Sequence, residues 1–225
     1  MKILFILLLN CTLLLNSVQY AYSFAHYEDL ADSTVLILVK VKEKRLFKDA
    51  LIGSGAGVIV ARPGYILTCK HVVEDALEIR VRFRSDFDKY YKAEVIKMSK
   101  YSDLALIRVI DDEEAATRPK VKFSSMIELS EDLYAIGHPR GHYWTITKGI
   151  ASNLLISKDH QFTLQVDIPL TFGNSGGGVY NSNGELVGIA SGLFNPFPKK
   201  LGNNIGNTGI AYVVPIPEII KFYME

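Results

Sequence analysis

Apolar and polar positions along the chain alternate in many short runs, most with the period of two that marks a half-buried strand. After an apolar N-terminus, residues 33–41 form the first such run, and residues 42–48 follow as a charged loop. Gly53-Ser54-Gly55-Ala56-Gly57 leads into a strand at 58–60, Arg62-Pro63-Gly64 reads as a turn, and residues 65–68 return as a strand. In residues 79–84, Ile79, Val81 and Phe83 alternate with Arg80, Arg82 and Arg84, which predicts one buried face and one wet face. Strands at 90–98 and 104–110 follow. Residues 111–120, acidic and then Arg118-Pro119-Lys120, predict a crossover between two halves.

The second half repeats the style, with strands expected at 133–136, 144–147, 149–152, 162–166, 176–180, 186–190 and 210–214. Asn181-Ser182-Asn183-Gly184 is a hairpin turn between two of them. The end of the chain switches to a helical period, with Ile216, Ile219, Ile220 and Tyr223 on one face, and predicts a short helix packing on the second half. Many short strands, no strand–helix–strand alternation and one terminal helix argue for an all-β chain of two antiparallel barrels. The halves fall at 26–118 and 119–225.

Residues 1–25 do not belong to that pattern. Lys2 precedes a mostly apolar run at 3–15, and Ser23 and Ala25 have the spacing of a cleavage site, which predicts a secretory signal peptide. The run is short for a membrane span, so an uncleaved anchor is the lesser reading. Location is therefore periplasmic or secreted, or membrane-attached if the segment stays. Its removal takes Lys2 away and leaves 24 basic residues against 24 acidic ones, from 25 and 24 in the whole chain. A near-neutral surface offers no basic face for nucleic acid. Cys11 leaves with the signal, and Cys69 then has no partner for an intrachain disulfide.

Candidate chemistry centres on Thr171-Phe172-Gly173-Asn174-Ser175-Gly176-Gly177-Gly178. Glycines around a serine let successive backbone N–H groups converge on one point, where they can hold an oxyanion while the hydroxyl attacks a carbonyl. The same letters also serve as plain turn chemistry. The stretch fits a G-x-S-x-G elbow as well, but that arrangement needs an acid and a histidine after the serine. All five histidines (His26, His71, His138, His142 and His160) precede Ser175, and no aspartate follows it. The order base, acid, nucleophile remains.

His71 is the best base, because it lies where an apolar strand gives way to a polar turn. Asp103 opens an apolar strand and calls for a partner such as an imidazole N–H. Asp167 is the runner-up, placed near Ser175 and expected to shape the pocket. The glycine run at 53–57 is followed by no G-K-[ST] and no helix, so it is not a phosphate loop. The histidines and Cys69 make no metal-ligand spacing, so neither metal nor cofactor is implied.

Taken in order, several segments resemble chymotrypsin-fold serine proteases, nearest the HtrA/Deg branch. They are Gly53–Ile59, Gly64–Val73 with Thr68-Cys69-Lys70-His71, Ser102-Asp103-Leu104-Ala105-Leu106, Ala135–Gly141, Thr145–Ile150, Gly173-Asn174-Ser175-Gly176-Gly177 and Gly209–Pro215. The resemblance implies six strands per barrel, with His71 as general base, Asp103 as its orienter and Ser175 as nucleophile. It also implies an oxyanion hole of backbone N–H groups at Gly173, Asn174 and Ser175. Leu170, Ser191, Gly192, Leu193 and Ala211 are implied at the substrate-binding edge. The expected partners are unfolded or misfolded polypeptides, with no nucleic acid and no membrane beyond the signal; a homo-oligomer is compatible with the family. Phe172 stands where the family usually has proline and His138 where asparagine is usual, and the expectation is a chain without the PDZ module usual in HtrA proteins. A peptide-binding or chaperone-like protein on the same scaffold, or a secreted esterase, are the alternatives.

Overall fold

The computed structural model describes residues 27–42, 49–60, 62–110, 117–157, 161–193 and 209–225. The expected signal segment at 1–25 with Cys11, together with His26 and His160, lies outside them, as do most of the expected charged loop and residues 111–116 of the expected crossover. A helical turn at 27–32 precedes the first barrel. That barrel is built from β1 (Thr34–Lys42), β2 (Asp49–Ile59), β3 (Tyr65–Thr68), β4 (Ala76–Arg82), β5 (Tyr91–Met98) and β6 (Ala105–Val109). It closes in the order β1-β2-β3-β6-β5-β4, with every pairing antiparallel. One turn of helix, α1 (Lys70–Val73), is inserted between β3 and β4.

The second barrel uses β8 (Asp132–Gly137), β9 (Thr145–Ile156), β10 (Phe162–Val166), β11 (Gly178–Tyr180), β12 (Glu185–Leu193) and β13 (Ala211–Pro215), and the pairing of β11 with both β8 and β12 closes it. A two-residue strand, β7 (Lys122–Phe123), adds to β12 in parallel, outside the expected six. The chain ends in α2 (Ile216–Met224). Among the described residues no helix is long and apolar enough to cross a membrane.

Alternation does what the sequence asks of it in β4, where Ile79 and Val81 are buried, as is Phe83 just beyond, while Arg84 pairs outward with Glu28 and Asp32. Arg82 is clamped between the rings of Phe87 and Tyr90, each 4.1 Å from its guanidinium. Two strand expectations need correction, and glycine is the reason for both. The run at 53–57 does not precede the strand but lies inside β2, because its glycines mark close approaches instead of turns. A Cβ on Gly57 would sit 2.4 Å from Ile66, and one on Gly53 2.5 Å from Val39. The strands expected at 144–147 and 149–152 are one strand, β9, in which bare Gly149 admits the carboxylate of Asp167.

The closing helix is rotated from the expected face. Ile216, Glu218, Ile219 and Phe222 are buried, whereas Ile220 and Tyr223 are 49% and 43% exposed. The helix lies over the seam between the barrels, not on the second alone. Its apolar side joins Val58, Leu67 and Leu104 of the first barrel to Tyr180, Leu186 and Ile189 of the second. Lys97 donates from Nζ to the Phe222 carbonyl at 2.6 Å, and the Ser99 hydroxyl donates to the Glu225 carboxylate at 2.9 Å. Buried Glu218 accepts the Phe162 N–H at 3.0 Å and is paired with Lys221 at 2.7 Å, which compensates its desolvation.

Below the helix the barrels meet backbone to backbone. The Ala56 N–H donates to the Ser175 carbonyl at 2.8 Å, and the Thr68 hydroxyl donates to the Ala56 carbonyl at 2.7 Å. Gly176 (φ 88°) lies so close that a Cβ would sit 2.0 Å from the Ala56 oxygen. Two stability outcomes follow, both measurable by urea unfolding. Phe222→Ala costs about 3–5 kcal/mol, as for a buried aromatic, while Ile220→Ala stays within about 0.5 kcal/mol; equal costs would reject this helix orientation. Gly176→Ala costs more than about 2 kcal/mol, because left-handed strain and a backbone clash coincide, and a neutral result would contradict the junction.

Candidate active site

Helix α1 places His71 at the mouth of a cleft of about 620 Å³ between the barrels. It is a single turn held by burial at both ends, with Cys69 fully buried before it and Val73 buried at its close. The Asp103 carboxylate takes the His71 backbone N–H at 3.0 Å through Oδ1, and the imidazole Nδ1–H at 2.7 Å through Oδ2. The second bond fixes the tautomer and leaves Nε2 as an acceptor. Asp103 is itself set by the turn before β6, where the Ser99 N–H donates to the Leu104 carbonyl at 2.9 Å and the Ser99 hydroxyl accepts the N–H groups of Tyr101 and Ser102.

Charge distribution follows from these contacts. Hydrogen bonding to Asp103 raises the His71 pKa above its ordinary value, against the opposing pull of burial. Burial pushes Asp103 upward, but the hydrogen bonds from the His71 ring, the Ser191 hydroxyl and the His71 N–H outweigh it and hold the carboxyl below its ordinary range. The carboxylate therefore stays ionised next to an imidazole whose protonated form it favours.

Ser175 faces the same cleft from the opposite wall. Its hydroxyl donates to the Ser191 carbonyl at 3.4 Å, and among the described residues it has no hydrogen bond to His71. The loop around it is tightly wound. Asn174 donates its N–H to the Thr171 carbonyl at 3.0 Å, Gly177 donates to Asn174, and Gly176 donates to Ala190 at 2.8 Å. The Asn174 N–H is thus consumed inside the turn, which corrects its expected place among the oxyanion donors. The N–H groups of Gly173 and Ser175 carry no hydrogen bond among the described residues. The Phe172 carbonyl accepts the Arg140 N–H at 2.9 Å, so the Gly173 N–H, on the opposite side of the same trans peptide, points away from that loop.

The loop that braces this peptide contains His138, whose ring is buried instead of lying in an open turn. His138 donates its N–H to the Gly173 carbonyl at 3.2 Å, and its Nδ1 accepts the Trp144 N–H at 3.1 Å. Burial pushes its pKa down to about 4, so the ring is neutral at ordinary pH. Trp144 ties the loop to the first barrel by donating Nε1–H to the Thr34 carbonyl at 2.8 Å.

Other expected site residues divide. Leu170, Ser191 and Gly192 line the cleft, together with Phe172, which is 55% exposed. Leu193 pairs with Ala211 in the β12–β13 ladder, but Ala211 is 1% exposed inside the second barrel's core and does not line the cleft. Asp167 neither shapes the pocket nor reaches His71; it accepts the Ile150 N–H at 2.6 Å on the outside of β9. The Ser191 hydroxyl donates to Asp103 Oδ2 at 2.5 Å across 88 positions of sequence, a contact with no local signature.

Cys69, His71 and Asp103 bring three donor atoms within 4.8 Å of one another. Burial pushes the Cys69 thiol well above its ordinary pKa, and it donates to the Ala190 carbonyl at 3.2 Å. With the thiolate disfavoured and Asp103 Oδ2 shared by two donors, the cluster is arranged for holding a proton on His71, not for a cation.

Residues 55–189 match the family described as the trypsin-like peptidase domain. A probable periplasmic serine protease do/HhoA-like of Haemophilus influenzae is 34% identical over 182 residues, 77% of this chain and 36% of its own length. The periplasmic serine endoprotease DegP of Escherichia coli K12 is 36% identical over 166 residues, 72% of this chain and 33% of its own. The chain thus spans about a third of the length of the curated relatives it matches. A crystal structure of a serine endoprotease from Yersinia pestis superposes with a TM-score of 0.70 at 27% identity, covering 90% of this chain and 65% of that one. The HtrA-type protease AlgW, solved with a tripeptide, shares the fold with a TM-score of 0.73 at 22% identity, over 90% of this chain and 62% of its own. With half the chain and more inside the matched domain, and with Asp103-bonded His71 and Ser175 lining one cleft, the protein belongs to the trypsin-like peptidase family, among relatives of the HtrA/DegP type.

Proposed function

We propose that this chain is the catalytic unit of an exported serine endopeptidase, acting on unfolded or misfolded polypeptides by acyl transfer. The observation that carries the proposal is the 2.7 Å bond from His71 Nδ1 to Asp103, which leaves Nε2 free beside Ser175 in one cleft. For reaction, the Ser175 hydroxyl leaves the Ser191 carbonyl and turns to Nε2, a change about one side-chain bond. Oγ then attacks the substrate carbonyl carbon while His71 takes its proton. The oxygen that gains charge is received by the N–H groups of Gly173 and Ser175. Collapse breaks the C–N bond, and the imidazolium returns its proton to the leaving amine. Water, deprotonated by His71, releases the acyl group and restores the serine. Asp103 stays a carboxylate throughout and stabilises the imidazolium.

Export is supported by the leader pattern at 1–25 and by relatives named as periplasmic. A cleft entered along the end of β12 suits an extended backbone, which unfolded chains present and folded ones hide. Leu170 and Gly192 give the nearby wall an apolar, uncharged character, so small and medium aliphatic side chains fit before the scissile bond.

Three measurements bear on this. A fluorophosphonate probe labels Ser175 and fails on Ser175→Ala; an unlabelled native serine supports the peptide-binding alternative. Because His71 must be neutral to act as base and Asp103 raises its pKa, kcat/KM falls as pH drops through a limb above the ordinary histidine value. Asp103→Asn removes the raising contact, moves that limb toward acid and lowers turnover roughly 10⁴-fold; an unmoved limb rejects the pairing. Digests of a denatured protein, read by mass spectrometry, show cuts mainly after Val, Ala and Leu. A majority after Lys, Arg, Asp or Glu overturns the specificity.

A further inference from the structure

Arg140 lies in the 3₁₀ turn Pro139–Gly141 with φ 51° and ψ 32°, the left-handed region that a residue with a Cβ enters at a cost. Its backbone N–H is fixed to the Phe172 carbonyl, and its exposed side chain lines the cleft beside Phe172 and Gly173. Every other described arginine has a partner: Arg80 with Glu78, Arg84 with Glu28 and Asp32, Arg108 with Glu94, Arg118 with Ser85, and Arg62 and Arg82 over aromatic rings. Among the described residues, the Arg140 guanidinium alone has no hydrogen bond, ion pair or ring contact. The other permanent charge lining the cleft, Asp75, comes from the first barrel's wall.

The site also has a direction. Ser175 is linked to Ser191 near the end of β12, while on the other side His138 holds the Gly173 carbonyl and Arg140 the Phe172 carbonyl. A substrate whose acyl half follows β12 sends its leaving half past Arg140. We propose that Arg140 is a specificity-determining residue that selects substrates with an acidic side chain at the first or second position after the scissile bond. A planar guanidinium without a counter-ion offers a carboxylate paired hydrogen bonds that a neutral isostere cannot match. The inference rests on the peptidase reading, which fixes where the scissile bond sits.

The experiment uses quenched peptides identical except for Glu or Gln at each of those two positions. At low salt the native protein cleaves the better-placed Glu peptide with kcat/KM about fivefold above its Gln twin, and the ratio shrinks toward one at about 0.5 M salt. Arg140→Gln abolishes the ratio and Arg140→Glu reverses it, a reversal that a merely structural role does not produce. A native ratio of one, a ratio indifferent to salt, or a ratio retained in Arg140→Gln overturns the inference. If Ser175 takes the fluorophosphonate and the peptides are cleaved without preference, this inference alone falls. If no peptide is cleaved and Ser175 stays unlabelled, the peptidase reading falls with it.

Discussion

The molecule depends on a backbone contact that side chains would forbid. β2 reaches the loop carrying Ser175 because Gly55 and Gly176 present no Cβ where the two barrels touch, and the Ala56 N–H can then meet the Ser175 carbonyl. A bond of that kind fixes position along the strand as well as distance, since its donor and acceptor cannot slide. It brings together a wall carrying His71 and Asp103 and a wall carrying Ser175. The apolar seam under α2 supplies the burial that keeps the walls pressed together, and the contacts of Lys97 and Ser99 with the helix end hold that cover in place.

Around this junction, polar groups are satisfied in a chain running from one barrel into the other. Asp103 accepts from His71 twice and from Ser191 once, so a carboxylate of the first barrel is completed by a hydroxyl of the second. Ser191 in turn offers its carbonyl to Ser175. The loop at 138–144 does the same beside Gly173: neutral His138 accepts from Trp144, Trp144 donates to Thr34 in the first barrel, and Arg140 holds the Phe172 carbonyl. Protonating His138 would set two donors facing each other at Nδ1. Because its folded pKa is depressed to about 4, its contribution is intact at neutral pH and is lost as pH falls from the ordinary histidine value through the folded one.

Much of this was legible in the chain because it is local. Period-two alternation fixed the buried side of β4, the run Asn181-Ser182-Asn183-Gly184 turned β11 into β12, and the order of histidine, aspartate and serine removed the elbow arrangement. Readings that failed were those in which a local pattern had two physical meanings. Glycines at 53–57 looked like a lead into a strand but are sites of close approach. The helix face at Ile220 and Tyr223 was drawn from period alone, whereas the surface it covers comes from two barrels and turns Phe222 inward.

The strand-rich class, the two barrels and the candidate order of histidine, aspartate and serine could all be read from the chain, because periodicity and residue chemistry are written in the sequence itself. The folded backbone shows which N–H groups around Ser175 are unbonded among the described residues, since Asn174 looks equivalent to Gly173 and Ser175 until its bond to Thr171 is seen. The fold alone joined Ser191 to Asp103, buried Ala211 and left the Arg140 guanidinium beside the cleft without a partner among the described residues. The Ser191–Asp103 bond and the burial of Ala211 rest on contacts between segments far apart in the chain, and no local pattern carries their geometry.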